Sequence, residues 1–353
     1  MQKKVLAKLS KCYSVAPLLY QGRPHFLVAA EKHDRCILFD REGREQATIW
    51  EGPGGVMSMV QVPGTDGQFL ATHEFYSPND SAKARIVLAQ PEGEEWSVRT
   101  IADLPFVHRF DILQRGGRRY LIACTLKSAH AHKDDWSSPG KVYAAELPED
   151  LSPYGPENQL PLVPIKEGVL KNHGYCRLSE TGGDAALVCG ENGVFRFTPP
   201  SGSGESWQEE QLLETPASDA LLIDLDGDGK KELIVMSPFH GDTLTIYRQE
   251  GKAWEAVYEY PEKLLFLHAI WGGVLSGKPT AVIGHRQGAR RLLAFTFEDG
   301  AYRFKTLDED CGPANVYGCR IEGQDILIAC NRETDEVAMY YDLDRKSVVE
   351  GKS

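Results

Sequence analysis

Short apolar runs alternate with polar turns along the whole chain. Segment 219–247 shows the unit most plainly. It has an apolar run at Ala220–Ile223, an acidic turn, a second run at Leu233–Met236, a short loop and a third run at Leu244–Tyr247. Runs this short, bounded by Gly, Asp and Pro and lacking a 3.6-residue period, predict strands. Similar units flank this one at spacings of roughly forty to fifty residues, the mark of a repeat fold. Each reads as strand A, a tight turn, strand B ending in small residues, a variable loop and strand C. Strand D follows, usually with Trp, Tyr or Phe. Units fall at about 12–50, 54–102, 105–166, 170–213, 219–260, 263–306 and 312–343.

The seventh unit runs out of strands after three. Lys4–Leu9, KVLAKL, precedes the first unit and supplies the missing one. Its addition to the last unit closes a ring by backbone hydrogen bonds and leaves no open edge. The expected fold is therefore all-β: a seven-bladed β-propeller of four-stranded blades, closed by an N-terminal strand. A pair of β-sandwiches is the competing arrangement. The propeller is expected to span 1–345 as one domain, with 346–353 a flexible tail. Two stretches break the repeat: 127–140, which lengthens the B–C loop of unit three, and the proline-rich 148–164.

The length alone would suggest two domains, but a propeller of 353 residues is one unit. The net charge of -12 argues against nucleic acid and anionic membrane as partners. MQKKVLAKLSKCYS lacks the apolar core of a signal peptide, and no run reaches transmembrane length. The eight cysteines include no C-x-x-C pair. Cys124, Cys189 and Cys330 each end an apolar run and read as buried thiols, which suits a reducing, cytoplasmic setting.

The turn after Ile223 sets Asp224, Asp226 and Asp228 at alternate positions, with glycines between and Glu232 beyond. Such an oxygen-rich, flexible loop is what Ca²⁺ prefers. No glutamate stands at the twelfth position and strands flank the loop, so it is not an EF-hand. The spacing resembles the calcium loops of the FG-GAP and VCBS propeller families, where the loop joins two adjacent strands. A structural Ca²⁺ at Asp224–Glu232 is the expectation, against a solvated Asp/Gly turn without an ion. Because the loop joins A to B, it belongs to the face opposite the B–C loops.

Nine of the ten histidines fall on the other face, in B–C loops or at the entry to strand A. His108, His173 and His268 are entry residues, and three imidazoles from different blades converging on a channel suit Zn²⁺, Mn²⁺ or a similar divalent transition metal. His240, after Ser237-Pro238-Phe239, is a further candidate ligand. The alternative is a metal-free histidine cluster. The same loops supply His285 and Arg286, His73 and Tyr76, and Lys127 as candidate acid, base or charge-stabilising groups, together with Tyr317 entering strand A of unit seven. Arg109, Asn331 and Arg332 are candidates to hold an oxygen-rich ligand, and Trp136 and Trp271 to stack on a sugar ring.

The run SPFHGDTLTIY, then FLHAIWGG and IGHRQGARRLLAF, resembles the propeller region of the aldos-2-ulose dehydratase family, most clearly over 215–320. The resemblance implies a metal-assisted lyase that dehydrates keto-sugars. It also implies a site at His240, His268, His285 and Arg286 and a structural cation at Asp224, Asp226 and Asp228. The chemistry is coherent. Loss of water beside a carbonyl needs an α-proton removed, the enolate oxygen stabilised and the leaving hydroxyl protonated. The same groups serve β-elimination from a sugar acid. The other reading is a non-catalytic propeller that binds a glycan or a protein. No G-x-S-x-G elbow and no G-x-x-x-x-G-K-[ST] loop occurs, so Ser-His-Asp hydrolysis and nucleotide cofactors are not expected.

Overall fold

A computed structural model describes residues 1–341. The expected tail at 346–353 lies outside the described residues. Among those described there is no helix, only seven four-stranded antiparallel sheets. The innermost strand A of the successive blades is Cys12–Tyr20, Met59–Gln61, Val107–Arg115, Gly174–Glu180, Asp219–Ile223, Leu267–Leu275 and Pro313–Ile321. Each inner strand neighbours the next, and the seventh returns to the first, so the sheets close into a seven-bladed propeller. Six blades run A-B-C-D in chain order; the seventh takes its outer strand from Gln2–Lys8. That strand pairs antiparallel with Glu336–Tyr341, Gln2 opposite Tyr341 and Lys8 opposite Glu336. It begins earlier than its apolar residues suggest. An outer strand needs no apolar side chains for its ladder, and Lys3 adds ion pairs to Asp308 and Glu336 at 3.0 and 2.9 Å. Leu9 already turns into the core and donates its N–H to Asp335 at 3.0 Å.

The apolar runs follow from the packing of blades. Along strand B of the fifth blade, Leu233 and Val235 pack toward blade four, while Ile234 and Met236 pack toward blade six. A strand buried on both faces reads as a continuous apolar run. The proline-rich stretch is irregular up to Leu162, as expected, and it covers a neighbouring blade. Strand D of blade three is Val163–Val169, and the residues before it cross the outer edge of blade two. There Leu160 donates its N–H to Ile101 at 2.7 Å, Arg99 donates to Tyr154 and Leu151 carbonyls, and Gln159 pairs with Asp103. Prolines suit an edge cover because they leave few donors unpaired.

The entry to strand A is what builds the channel. In blades one, three and six, the pairing with strand B slips at Tyr13, His108 and His268. Two residues earlier the backbone enters the left-handed region, at Lys11, Phe106 and Phe266. A bulge of this kind takes one residue out of the ladder and re-aims its side chain. Tyr13, His108 and His268 come from three non-adjacent blades yet meet one another, which places them at the propeller axis.

Candidate functional site

A belt of hydrogen bonds to the entry carbonyls links the blades around the axis. His108 Nδ1 donates to the His173 carbonyl at 3.2 Å, His173 Nδ1 to Ser218 at 3.0 Å, and His268 Nδ1 to Ala314 at 2.6 Å. Ser58 Oγ donates to the His108 carbonyl at 3.2 Å, and Asn315 Nδ2 to Tyr13 at 2.7 Å. A carbonyl only accepts, so each of these three histidines carries its proton on Nδ1. Their Nε2 lone pairs then face inward. This is the outer bonding that orients histidine ligands of metals.

His240 joins them from the B–C loop of blade five, with its backbone at φ 47° and its N–H held by Ser218 Oγ. His240 Nε2 lies 3.2 Å from His173 Nε2. Among the described residues, ligand atoms of His173, His240 and His268 all lie within 4.8 Å of one another. The Tyr13 hydroxyl stands 3.1 Å from His268 Nε2 and 3.4 Å from His108 Nε2. Its single proton serves one of them, so the cluster holds more lone pairs than protons. Phe75, Phe239 and Phe266 pack against the rings. Burial in this apolar setting keeps all four imidazoles neutral: it drives His108, His240 and His268 well below the ordinary range and His173 down to about 3. Burial also pushes the Tyr13 hydroxyl up to about 12.

Two channel groups carry charge chemistry. Arg109 follows His108, donates Nη1 to the Met57 carbonyl at 2.9 Å and Nη2 to Asn315 Oδ1 at 3.4 Å. Asp219 begins strand A of blade five. Burial raises its carboxyl to about 7, opposed first by Arg109. Neither Tyr13 nor Asp219 stands out in the sequence. Tyr13 occupies the same offset from its bulge as His108 and His268, and only alignment of the entry positions reveals it.

Other residues expected at one site are spread out. Tyr317 lines a 350 Å³ pocket between blades one and seven, beside Leu19, His25, Gln61 and Cys319, on the A–B side. Strand A crosses the whole blade, and Tyr317 lies too far along it to reach the histidines. His285 turns toward the Leu265 and Gln287 carbonyls, not the axis. His73 is buried against Trp50, ring centroids 4.6 Å apart. Tyr76 packs on His33. Lys127 is buried, donates to Asn79 and the Asp135 carbonyl, and lies 4.0 Å from the Trp136 ring. Trp136 reaches the cluster only through Phe239. Trp271 covers Gly318 of the next inner strand, where a Cβ would come within 2.2 Å of its ring. Asn331 donates to Tyr340. Arg286 and Arg332 share Glu333, and Arg332 also pairs with Glu31, so both guanidinium charges are already answered.

The acidic loop does join strands A and B of blade five, between Ile223 and Glu232. Asp224, Asp226 and Glu232 converge, again within 4.8 Å. Asp228 stays out of this group and accepts from the Lys230 N–H. Asp224 accepts from Gly227 and Gly229, Glu232 from Leu225, and Arg248 pairs with both Asp226 and Glu232.

No family model and no curated protein matches the chain. Among solved structures it is similar to the β-propeller domain of Cps50 (Swd1) from Myceliophteria thermophila, at 9% identity and a TM-score of 0.61, covering 97% of this chain and 100% of that one. No match ties it to the FG-GAP and VCBS propellers or to the dehydratase. Likeness at that identity carries architecture alone, and the architecture is that of a seven-bladed β-propeller.

Proposed function

We propose that this protein is a ligand-binding propeller whose central channel holds a divalent transition metal on His173, His240 and His268. One observation carries the reading: three imidazole nitrogens from three blades, kept neutral by burial, lie within 4.8 Å of one another. Metal binding needs neutral imidazole, and here folding supplies it. Ligation through His240 Nε2 would use the neutral tautomer that carries its proton on Nδ1. Three nitrogen ligands leave a coordination position open, and His108 and Tyr13 border the group. A small hydroxyl-rich ligand such as a carbohydrate suits that position.

A lyase acting on a keto-sugar or sugar acid is the second reading. The resemblance to the dehydratase suggests it, and Tyr13 and Asp219 favour it as groups able to exchange protons at the channel. It is weakened by the distance of Tyr317, His285 and His73 from the cluster and by the ion pairs of Arg286 and Arg332. Elemental analysis of the purified protein, beside His268→Ala and Asp226→Ala, tests the metal. The expected result is a near-stoichiometric transition metal that His268→Ala loses and Asp226→Ala keeps. A protein free of transition metal after growth in supplemented medium would sink the reading. Turnover of a keto-sugar or uronate by the loaded protein would favour the lyase.

A further inference from the structure

Among the described residues, the channel contains a cation, Arg109, that makes no salt bridge. Arg109 directs its fork at neutral acceptors only, the Met57 carbonyl and Asn315 Oδ1. Its Nε is buried and has no hydrogen-bond partner. The contrast with the channel mouth is instructive, since Arg286 and Arg332 there each pair with glutamate. Arg109 sits beside the histidine cluster: it lies 5.9 Å from the Tyr13 ring, and its positive charge lowers the proton affinity of His108, His173 and His268. The residue is only partly covered, as is Asn315 beside it. Asp219 acts on it through space but makes no salt bridge with it, and burial raises that carboxyl to about 7. The guanidinium charge is therefore only partly answered, and a counter-charge on a ligand is favoured. A divalent metal on three neutral imidazoles adds to the deficit.

We infer that the channel ligand is an anion, a small hydroxylated carboxylate such as a sugar acid, whose carboxylate is held by Arg109 beneath the histidines. This rests on the metal-site reading and narrows its ligand class from sugars in general. A guanidinium fork matches the planar geometry of a carboxylate, and its longer bond, Nη2 to Asn315 at 3.4 Å, is the one a carboxylate would replace. The hydroxyls of the same ligand then extend toward the open position at His108, Tyr13 and the metal.

The test is calorimetric titration of the metal-loaded protein with D-glucuronate, D-glucose and inorganic phosphate. Wild type, Arg109→Gln, Arg109→Lys and Asn315→Ser are compared, with circular dichroism and metal content measured on the same samples. D-glucuronate is expected to bind wild type and D-glucose not to. Arg109→Gln should weaken D-glucuronate binding at least tenfold while keeping its metal, and Arg109→Lys should restore part of it. If Arg109→Gln fails to fold, Asn315→Ser, which frees one side of the guanidinium, should still shift the affinity. Equal binding of D-glucose and D-glucuronate, or unchanged affinity in folded Arg109→Gln, would overturn the inference. Phosphate binding without D-glucuronate binding would overturn the carboxylate class. Absence of metal from wild type would overturn the metal reading by itself, because D-glucuronate binding to the chelated protein still reports on Arg109.

Discussion

His73 provides a direct check on how the histidines of this fold are used. It ends strand B of blade two at 4% exposure, edge-on to Trp50, with Nε2 buried and without a partner. Burial first, and the nearby Arg85 charge second, lower its pKa from 6.5 to about 4. In the unfolded chain the ring takes a proton as pH falls through 6.5. In the folded chain it stays neutral until about 4. Within that window the unfolded state binds more protons, so the stability held above pH 6.5 is lost as pH falls. Between pH 7 and pH 5 the loss from this one group is about 2 kcal/mol. The comparison is between wild type and His73→Gln, each chelated and unfolded in urea at both pH values by tryptophan fluorescence. Removing the side chain shifts stability at both pH values, but only titration changes the difference between them. That difference should shrink by about 2 kcal/mol in His73→Gln. An unchanged difference would refute the assignment of His73 as a buried neutral packing residue and return it to the candidates for proton transfer.

Other consequences follow from the same geometry. Deleting residues 2–8 removes the whole ladder to Glu336–Tyr341 and exposes the edge of that strand, so the urea midpoint should fall and light scattering rise. Wild-type behaviour of the deletion would mean that the closure is dispensable. Gly54→Ala sets a Cβ 1.4 Å from the Lys32 carbonyl oxygen, a backbone atom that cannot swing aside. A loss of about 3 kcal/mol or insolubility is expected, read by chemical denaturation and soluble yield. Arg248→Met leaves Asp226 and Glu232 facing each other and should cost about 1–2 kcal/mol without calcium. Added CaCl₂ should recover that loss if the acidic loop takes the ion, and a midpoint indifferent to calcium would count the loop as a plain turn.

Much of the architecture is legible because the propeller repeats one packing problem seven times. Strand B is buried on both faces, so LIAC, ALVC and IAC recur as unbroken apolar runs that need no partner information to be seen. The turn between Ile223 and Glu232 is equally local. The outer strand Gln2–Lys8 is only partly legible, since its ladder needs no apolar side chains. The site divides along the same line. His108, His173 and His268 can be grouped because each stands at the entry to strand A of its unit, two residues after a left-handed backbone position. His73 and His285 end strand B while His240 lies in the loop after it, yet all three fall at the same place in the repeat, and of the three it is His240 that meets the entry histidines. That choice depends on the radial direction of a side chain, which no spacing encodes. Tyr317 fails for a related reason: a nine-residue strand A runs from one face to the other, and chain order does not say at which depth a residue stands.

The residues that border the site are also the ones that hold the ring. His108, His173 and His268 each bind the carbonyl of the next blade through Nδ1 while offering Nε2 to the channel. Removing an imidazole therefore cuts a blade-to-blade bond and a ligand at once, and an alanine variant confounds the two. Asparagine separates them. Its amide N–H stands near the position of Nδ1–H, so His173→Asn should keep the bond to the Ser218 carbonyl and lose Nε2 alone. A His173→Asn protein that retains the wild-type urea midpoint after chelation but no longer takes up metal would assign the Nε2 side to binding and the Nδ1 side to the fold. If the midpoint falls as far as in His173→Ala, the bond to Ser218 is not what the ring contributes. The neutral cluster would then matter to stability through packing against Phe239 and His108 instead.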